Sequence, residues 1–134
     1  METKVEFELV APDRLLLSEP VEMVVVPGAE GDFGVLVKHA PLISGVRPGV
    51  IRVHDDGQVR HSIFVAGGFA EVTPSRCTVL AEQAVPVEDI DAEQVQQDMR
   101  NAREDLEDAK DDNQRQAAQR RIAVCEAMLE ARGG

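Results

Sequence analysis

Apolar and polar positions alternate along the first two thirds of the chain, and then the period changes. Val5-Glu6-Phe7-Glu8-Leu9 sets apolar against acidic residues one by one, the pattern of a strand with one wet face. Residues 21–26, 49–53, 59–65 and 77–81 are further β-branched runs of strand length. Pro27-Gly28, Pro48-Gly49, Asp55-Asp56-Gly57, Gly67-Gly68 and Thr73-Pro74-Ser75 punctuate these runs. Turn signals at that spacing predict an antiparallel sandwich or barrel. One hairpin can be read in register. A three-residue 55–57 loop with Gly57 in the left-handed region sets Val53 beside Val59 and Ile51 beside His61. It gathers Ile51, Val53, Val59, Ile63 and Val65 on one face. A two-residue Asp56-Gly57 turn would pair His54 with Val59 and scatter the apolar residues over both faces, so the first register is expected.

From residue 88 the spacing is helical. Glu88-Asp89-Ile90-Asp91 supplies a cap and negative charge where a helix begins. Val95, Met99, Ala102, Leu106 and Ala109 recur at spacings of 4, 3, 4 and 3, and Ala118, Ile122, Cys125 and Leu129 at 4, 3 and 4. Each is a narrow seam of the kind that zips two helices together. Asp111-Asp112-Asn113 can turn the chain and cap the second helix, and Gly133-Gly134 is expected to end it.

Composition sharpens this division. All seven Pro, all four Phe and eight of the ten Gly precede residue 88. A chain of 134 residues fits one domain, or one domain with an appendage. Its 14 basic and 25 acidic residues leave a net charge of −11, and it has no Tyr or Trp. That excludes a nucleic-acid binder, which needs clustered cations and stacking aromatics. The acidity has two parts: 12 acids against 7 bases in residues 1–87, and 13 against 7 in residues 88–134. Cys77 and Cys125 are too far apart for a CxxC site and read as core thiols. The first residues resemble no signal peptide. The longest aliphatic run, 23–26, is far shorter than the roughly 20 residues of a spanning helix, so any membrane association is expected to go through a partner.

Few motifs carry chemistry. Gly28-Ala29-Glu30-Gly31-Asp32-Phe33-Gly34 lacks the spacing and the Lys-Ser or Lys-Thr of a phosphate loop, and Glu30 and Asp32 would repel a phosphate. It reads as a tight turn with an acidic tip, suited to a polar or basic partner. His39, His54 and His61 lack metal-ligand spacing; His39 lies in a loop and reads first as a structural residue, with an interface or pH-sensitive role as the alternative. No serine sits in a GxSxG elbow and no carboxylate pair stands out as acid and base, so no catalytic residue, metal or cofactor is expected. Arg115, Arg120 and Arg121 form either a solvated helix face or a basic docking patch.

The ordered set of Pro27-Gly28-Ala29-Glu30-Gly31-Asp32-Phe33-Gly34-Val35-Leu36, His39-Ala40-Pro41-Leu42-Ile43, Pro48-Gly49, Val65-Ala66-Gly67-Gly68-Phe69-Ala70-Glu71-Val72 and Thr78-Val79-Leu80-Ala81 closely resembles the epsilon subunit of F-type, proton-translocating ATP synthases. The resemblance extends through the helical tail. It implies a mainly β protein with α: an N-terminal 10-stranded antiparallel β-sandwich over residues 1–87, then a C-terminal antiparallel two-helix hairpin over residues 88–134. It implies a non-catalytic rotor subunit of the central stalk, linking the gamma subunit to the c-subunit ring and coupling proton flow to ATP synthesis. It implies peripheral attachment at the cytoplasmic face of the bacterial inner membrane, or the equivalent face of an organelle membrane. Glu30, Gly31, Asp32 and His39 are then the c-ring contacts. The hairpin of this family can extend into the alpha and beta head and block hydrolysis, which makes Arg115, Arg120 and Arg121 contacts to beta. Some members bind ATP through an Ile/Leu-Asp-x-x-Arg-Ala motif. Here Ile90 and Asp91 are kept, but Gln94 replaces the Arg and Val95 the Ala, so ATP binding is expected to be weak or absent. The acids at 104, 105, 107, 108, 111 and 112 predict weak inhibition. Two other readings are a free-standing nucleotide sensor, which Gln94 disfavours, and a β-sandwich binding module with a helical dimerisation tail.

Overall fold

The alternation at the start of the chain builds β1 (Val5–Ala11), in which Val5, Phe7 and Leu9 are fully buried and Glu6 is exposed. β2 (Arg14–Val21), β3 (Met23–Gly28), β4 (Gly31–Val35), β5 (Leu42–Val46), β6 (Gly49–Asp55), β7 (Gln58–Val65), β8 (Gly68–Val72), β9 (Arg76–Ala81) and β10 (Ala84–Pro86) follow. The computed structural model describes residues 3–133. It divides into two compact units, Met1–Pro86 and Val87–Gly134.

The strands run in the order β10-β7-β6-β3-β5-β8-β9-β1-β2, with β4 paired to β3 alone. The ladders are antiparallel except for β1 beside β9, which run parallel. This long sheet folds over on itself. Phe7 and Leu9 of β1 share one core with Ile51 and Val53 of β6, although four strands separate them in the order. The two ends of the sheet also meet: His61 Nε2 on β7 lies 2.9 Å from Glu19 Oε1 on β2.

The β6–β7 hairpin corrects the expected register. Asp55 pairs with Gln58 and His54 with Val59, so the turn is the two-residue Asp56-Gly57. Both turn residues have positive φ, 54° and 74°. That is the primed turn whose twist matches the flanking strands. The apolar faces are not scattered, because one extra residue on β7 moves the pairing to Val53 with His61 and Ile51 with Ile63. The bulge restores the parity that the turn would have broken. Val59, expected in the core, is 49% exposed as a result.

In the second unit a single 3-10 turn (Val87–Asp89) precedes α1 (Ala92–Glu107) and α2 (Asp112–Gly133). Asp91 caps α1, its carboxylate accepting from the N–H groups of Glu93 and Gln94 at 3.1 and 3.3 Å. Asp111 does the same for α2, accepting from the Gln114 N–H at 2.8 Å. The seams predicted by spacing supply the buried residues: Val95 and Ala102 of α1, Ala118 and Cys125 of α2. Gly133 is the last residue of α2, and Gly134 lies outside the described residues.

Candidate functional site

The acidic turn closes the β3–β4 hairpin. Gly28 pairs with Gly31 across a two-residue Ala29-Glu30 turn. Both glycines are dictated by geometry. A Cβ on Gly28 would meet the Gly31 carbonyl oxygen at 2.6 Å and the Phe33 ring at 2.9 Å, and Gly31 has φ +136°. Glu30 is exposed and has no ion-pair partner among the described residues. Asp32 pairs with Arg47. His39 lies in the 36–41 connection, its Nδ1 2.6 Å from the Ala40 carbonyl oxygen. No hydrogen bond or ion pair among the described residues joins His39 to Glu30 or Asp32, so tip and histidine are not one hydrogen-bonded cluster.

Cross-strand register assembles a second surface. Gly45 of β5, Phe69 of β8, Leu80 of β9, Val10 of β1 and Leu15 of β2 are successive partners across five strands. Phe69 is 62%, Leu80 54% and Leu15 56% exposed, whereas Ala70, Val79 and Leu9, the strand neighbours of Phe69, Leu80 and Val10, are fully buried. An apolar row therefore runs along the outward face. Beside it Ile43, Glu71, Thr78 and Glu8 form a row that is polar except at one end. Arg76 Nη1 donates to Glu8 at 2.8 Å there. A contiguous exposed apolar stripe with a polar flank is the anatomy of a docking face.

Two of the seven basic residues of the helical unit are ion-paired within it. Arg121 Nη1 donates to the Asp105 carboxylate at 2.6 Å, from α2 to α1, and Arg115 pairs with Asp112 at 2.5 Å. Arg120 has no ion pair among the described residues. Ile90 is buried, and its carbonyl accepts from Arg132 Nε at 2.7 Å. Asp91 is engaged as the α1 cap, and Gln94 Nε2 donates to Asp98 at 2.9 Å. The positions of the degenerate nucleotide motif are thus occupied by hairpin contacts.

One further acidic group needs a reading. Carboxylate oxygens of Glu22, Asp55 and Asp56 lie within 4.8 Å of one another. Cations of the chain already serve two of them, with Lys4 Nζ 3.1 Å from Asp55 and Arg60 3.1 Å from Asp56, while Glu22 accepts from the Asp56 N–H. Asp55 Oδ1 accepts no well-aligned hydrogen bond, but that ammonium neutralises it. The hydrogen bond to Asp55 in turn raises the Lys4 pKa. The cluster ties the start of β1 to the β6–β7 hairpin.

Phe69, Leu80 and Arg47 escaped sequence reasoning. The alternation Phe69-Ala70-Glu71-Val72 could have flagged the first, since it puts a Phe on the same side as a Glu. Nothing short of strand register could place it beside Leu80.

Together these features define a class: a β-sandwich joined to a helical hairpin, with its distinguishing chemistry on docking surfaces. Two family models match in succession, the β-sandwich domain of the ATP synthase delta/epsilon chain over residues 4–87 and the C-terminal domain of the ATP synthase epsilon chain over residues 91–134. The ATP synthase epsilon chain of Paramagnetospirillum magneticum is 56% identical over 131 residues, covering 98% of each chain. That of Rhodospirillum rubrum is 53% identical, covering 96% of each. A chain in the solved Euglena gracilis mitochondrial ATP synthase, described as OSCP/F1/c-ring in rotational state 1, superposes with a TM-score of 0.82 and 26% identity, over 98% of this chain and 82% of that one. A chain of the Tetrahymena thermophila mitochondrial ATP synthase central stalk and c ring shares the fold, with a TM-score of 0.74 at 16% identity. The chain belongs to the ATP synthase epsilon chain family, non-catalytic stalk subunits of that complex. Among the described residues no helix is long and apolar enough to cross a membrane.

Proposed function

We propose that this chain is a rotor subunit of the central stalk, linking the gamma subunit to the c-subunit ring and so coupling proton flow to ATP synthesis. The observation that carries the reading is the outward apolar row Phe69–Leu80–Val10–Leu15, exposed except at half-buried Val10. A row of this kind on an otherwise acidic protein suits a lasting interface with one partner, here gamma. The acidic turn supplies a separate contact, with Glu30, Gly31, Asp32 and His39 as the residues facing the c ring. The β-sandwich of residues 1–87 acts as the coupling body and the hairpin of residues 88–134 as a regulatory appendage. Arg115, Arg120 and Arg121 are its contacts to beta, with alpha alongside, and inhibition of hydrolysis by them is weak. Ile90, Asp91 and Gln94 do not bind ATP tightly. The subunit is held at the cytoplasmic face of the bacterial inner membrane, or the equivalent face of an organelle membrane, through the complex.

Affinity purification of the tagged full chain from detergent-solubilised membranes tests the reading. Gamma and the c ring are expected in the eluate together. Recovery of a stable self-dimer without gamma would instead support a binding module with a helical dimerisation tail.

A further inference from the structure

Arg47 lies between β5 and β6, fifteen residues beyond Asp32, yet it reaches the acidic turn through three groups. Its N–H donates to the Pro27 carbonyl at 2.9 Å. Its Nη1 donates to the Gly28 carbonyl at 2.5 Å, and its Nη2 donates to the Asp32 carboxylate. The Ala29 N–H adds a bond to the Gly45 carbonyl at 2.9 Å. One guanidinium thus bridges the outgoing and returning strands of the β3–β4 hairpin, with the planar fork that a lysine could not reproduce. Such a partly exposed pair adds little to global stability, so its effect is on local geometry and charge.

The geometry points to Arg47 as the positioning residue of the acidic tip: it neutralises Asp32, fixes the Ala29-Glu30 turn, and leaves Glu30 as the tip carboxylate without an ion pair among the described residues, offered to the partner. The complementary surface is accordingly one with polar groups and a single donor or cation for Glu30, in place of the paired cations that a doubly charged tip would demand. This rests on the proposed contact between the tip and the c ring.

Two measurements test it in parallel. The first is amide hydrogen exchange at residues 29–32 in the full chain. The second is the yield of a photo-activated cross-link to the c ring from a benzophenone maleimide on Ala29→Cys, with Glu30 intact, in the assembled enzyme. Arg47→Ala is expected to speed exchange at Ala29 by about tenfold while the melting temperature stays unchanged. It is expected to lower the cross-link yield by about threefold, and Asp32→Asn should reproduce both effects. Combining Arg47→Ala with Asp32→Asn should add nothing, and the swap Arg47→Asp with Asp32→Arg should restore slow exchange and cross-linking. Additive effects, or an Arg47→Ala tip that exchanges as slowly and cross-links as well as the parent, would overturn the role of Arg47 and leave the c-ring contact standing. Fast exchange in Arg47→Ala with no cross-link even from the parent would support Arg47 as the turn's clamp and overturn the contact.

Discussion

Phe69 and Leu80 stand side by side across β8 and β9, 62% and 54% exposed, while Ala70 and Val79 pair on the opposite face and are fully buried. The two faces of one ladder therefore have separable roles. Leu80→Glu puts a charge on the outward row and is expected to change stability by no more than about 0.5 kcal/mol. It should weaken capture of gamma by about tenfold or more, as a desolvated charge in an apolar contact does. Val79→Glu is the converse control and should prevent folding. Chemical denaturation and pull-down on the two variants separate these effects.

The β8 strand opens on a position that only glycine can hold. Gly68 has φ +142°, and a Cβ there would lie 2.0 Å from the Leu80 carbonyl oxygen. Gly68→Ala is expected to cost about 3 kcal/mol or more, since strain and a backbone clash act together. At Gly34 the nearest atom to an added Cβ is the Met23 sulfur at 3.6 Å. Gly34→Ala should therefore stay within about 1 kcal/mol of the parent. Denaturant midpoints of the two variants check the contrast.

Burial pushes the Cys77 thiol up to about 12 from its ordinary 9.0. Between those values the unfolded chain releases the proton and the folded chain keeps it. The thiol's contribution to stability is fully present below pH 9 and falls above it by ~1.4 kcal/mol per pH unit, until the folded thiol itself titrates. Lys4, whose ammonium Asp55 favours, adds to the fall at the upper end of the same window. Cys77→Ala should remove most of the slope, at a cost of about 1–2 kcal/mol at neutral pH. Denaturation curves from pH 8 to 11 read this directly.

The helical unit was legible residue by residue, because its 4-3 seams and its capping aspartates act locally: Val95, Ala102, Ala118 and Cys125 are buried where the spacing puts them. The sandwich was legible from its own pattern only in part. β1, β3, β6, β7 and β9 follow β-branched runs, whereas β4 is Gly-Asp-Phe-Gly-Val, which reads as a turn. β2 carries three successive leucines whose parity is broken by a register shift opposite Leu9 and Val10. The β6–β7 register does not follow from the residue pattern, because a bulge is invisible to a rule that assumes strict alternation. The tip carboxylates were legible as charges on a turn. Their inequality was not, because it depends on Arg47 arriving from a distant strand end.

The α1 start offers ATP little. The Asp91 carboxylate is engaged by two backbone N–H groups, Gln94 is turned to Asp98, and Glu93 adds negative charge to the same helix turn. Among the described residues, Arg100 is the sole cation lining the shallow depression beside Asp91. Millimolar ATP is expected to leave the melting temperature of the full chain unchanged. A micromolar dissociation constant by calorimetry would contradict this reading. Asp91→Ala should still destabilise α1 by about 1 kcal/mol through loss of the cap, a purely structural effect.

Regulation by the hairpin follows from how its charges are spent. Docking on an acidic surface of beta would need Arg115, Arg120 and Arg121 to act together. Arg115 is held by Asp112 and Arg121 by Asp105, which leaves Arg120 as the one of the three without an ion pair among the described residues. The exposed acids around Asp105 and Asp108 lie beside Arg121, so an acidic surface approaching that arginine meets like charge as well. Deleting residues 88–134 should therefore raise ATP hydrolysis by the assembled enzyme by no more than about twofold. Asp105→Asn frees Arg121 and removes one repulsive charge, so it should strengthen inhibition in the full-length subunit, most visibly at low ionic strength. Initial hydrolysis rates of the parent, the deletion and Asp105→Asn, compared at low and high salt, decide the matter. A several-fold rise on deletion would show that the hairpin docks despite its own acidity.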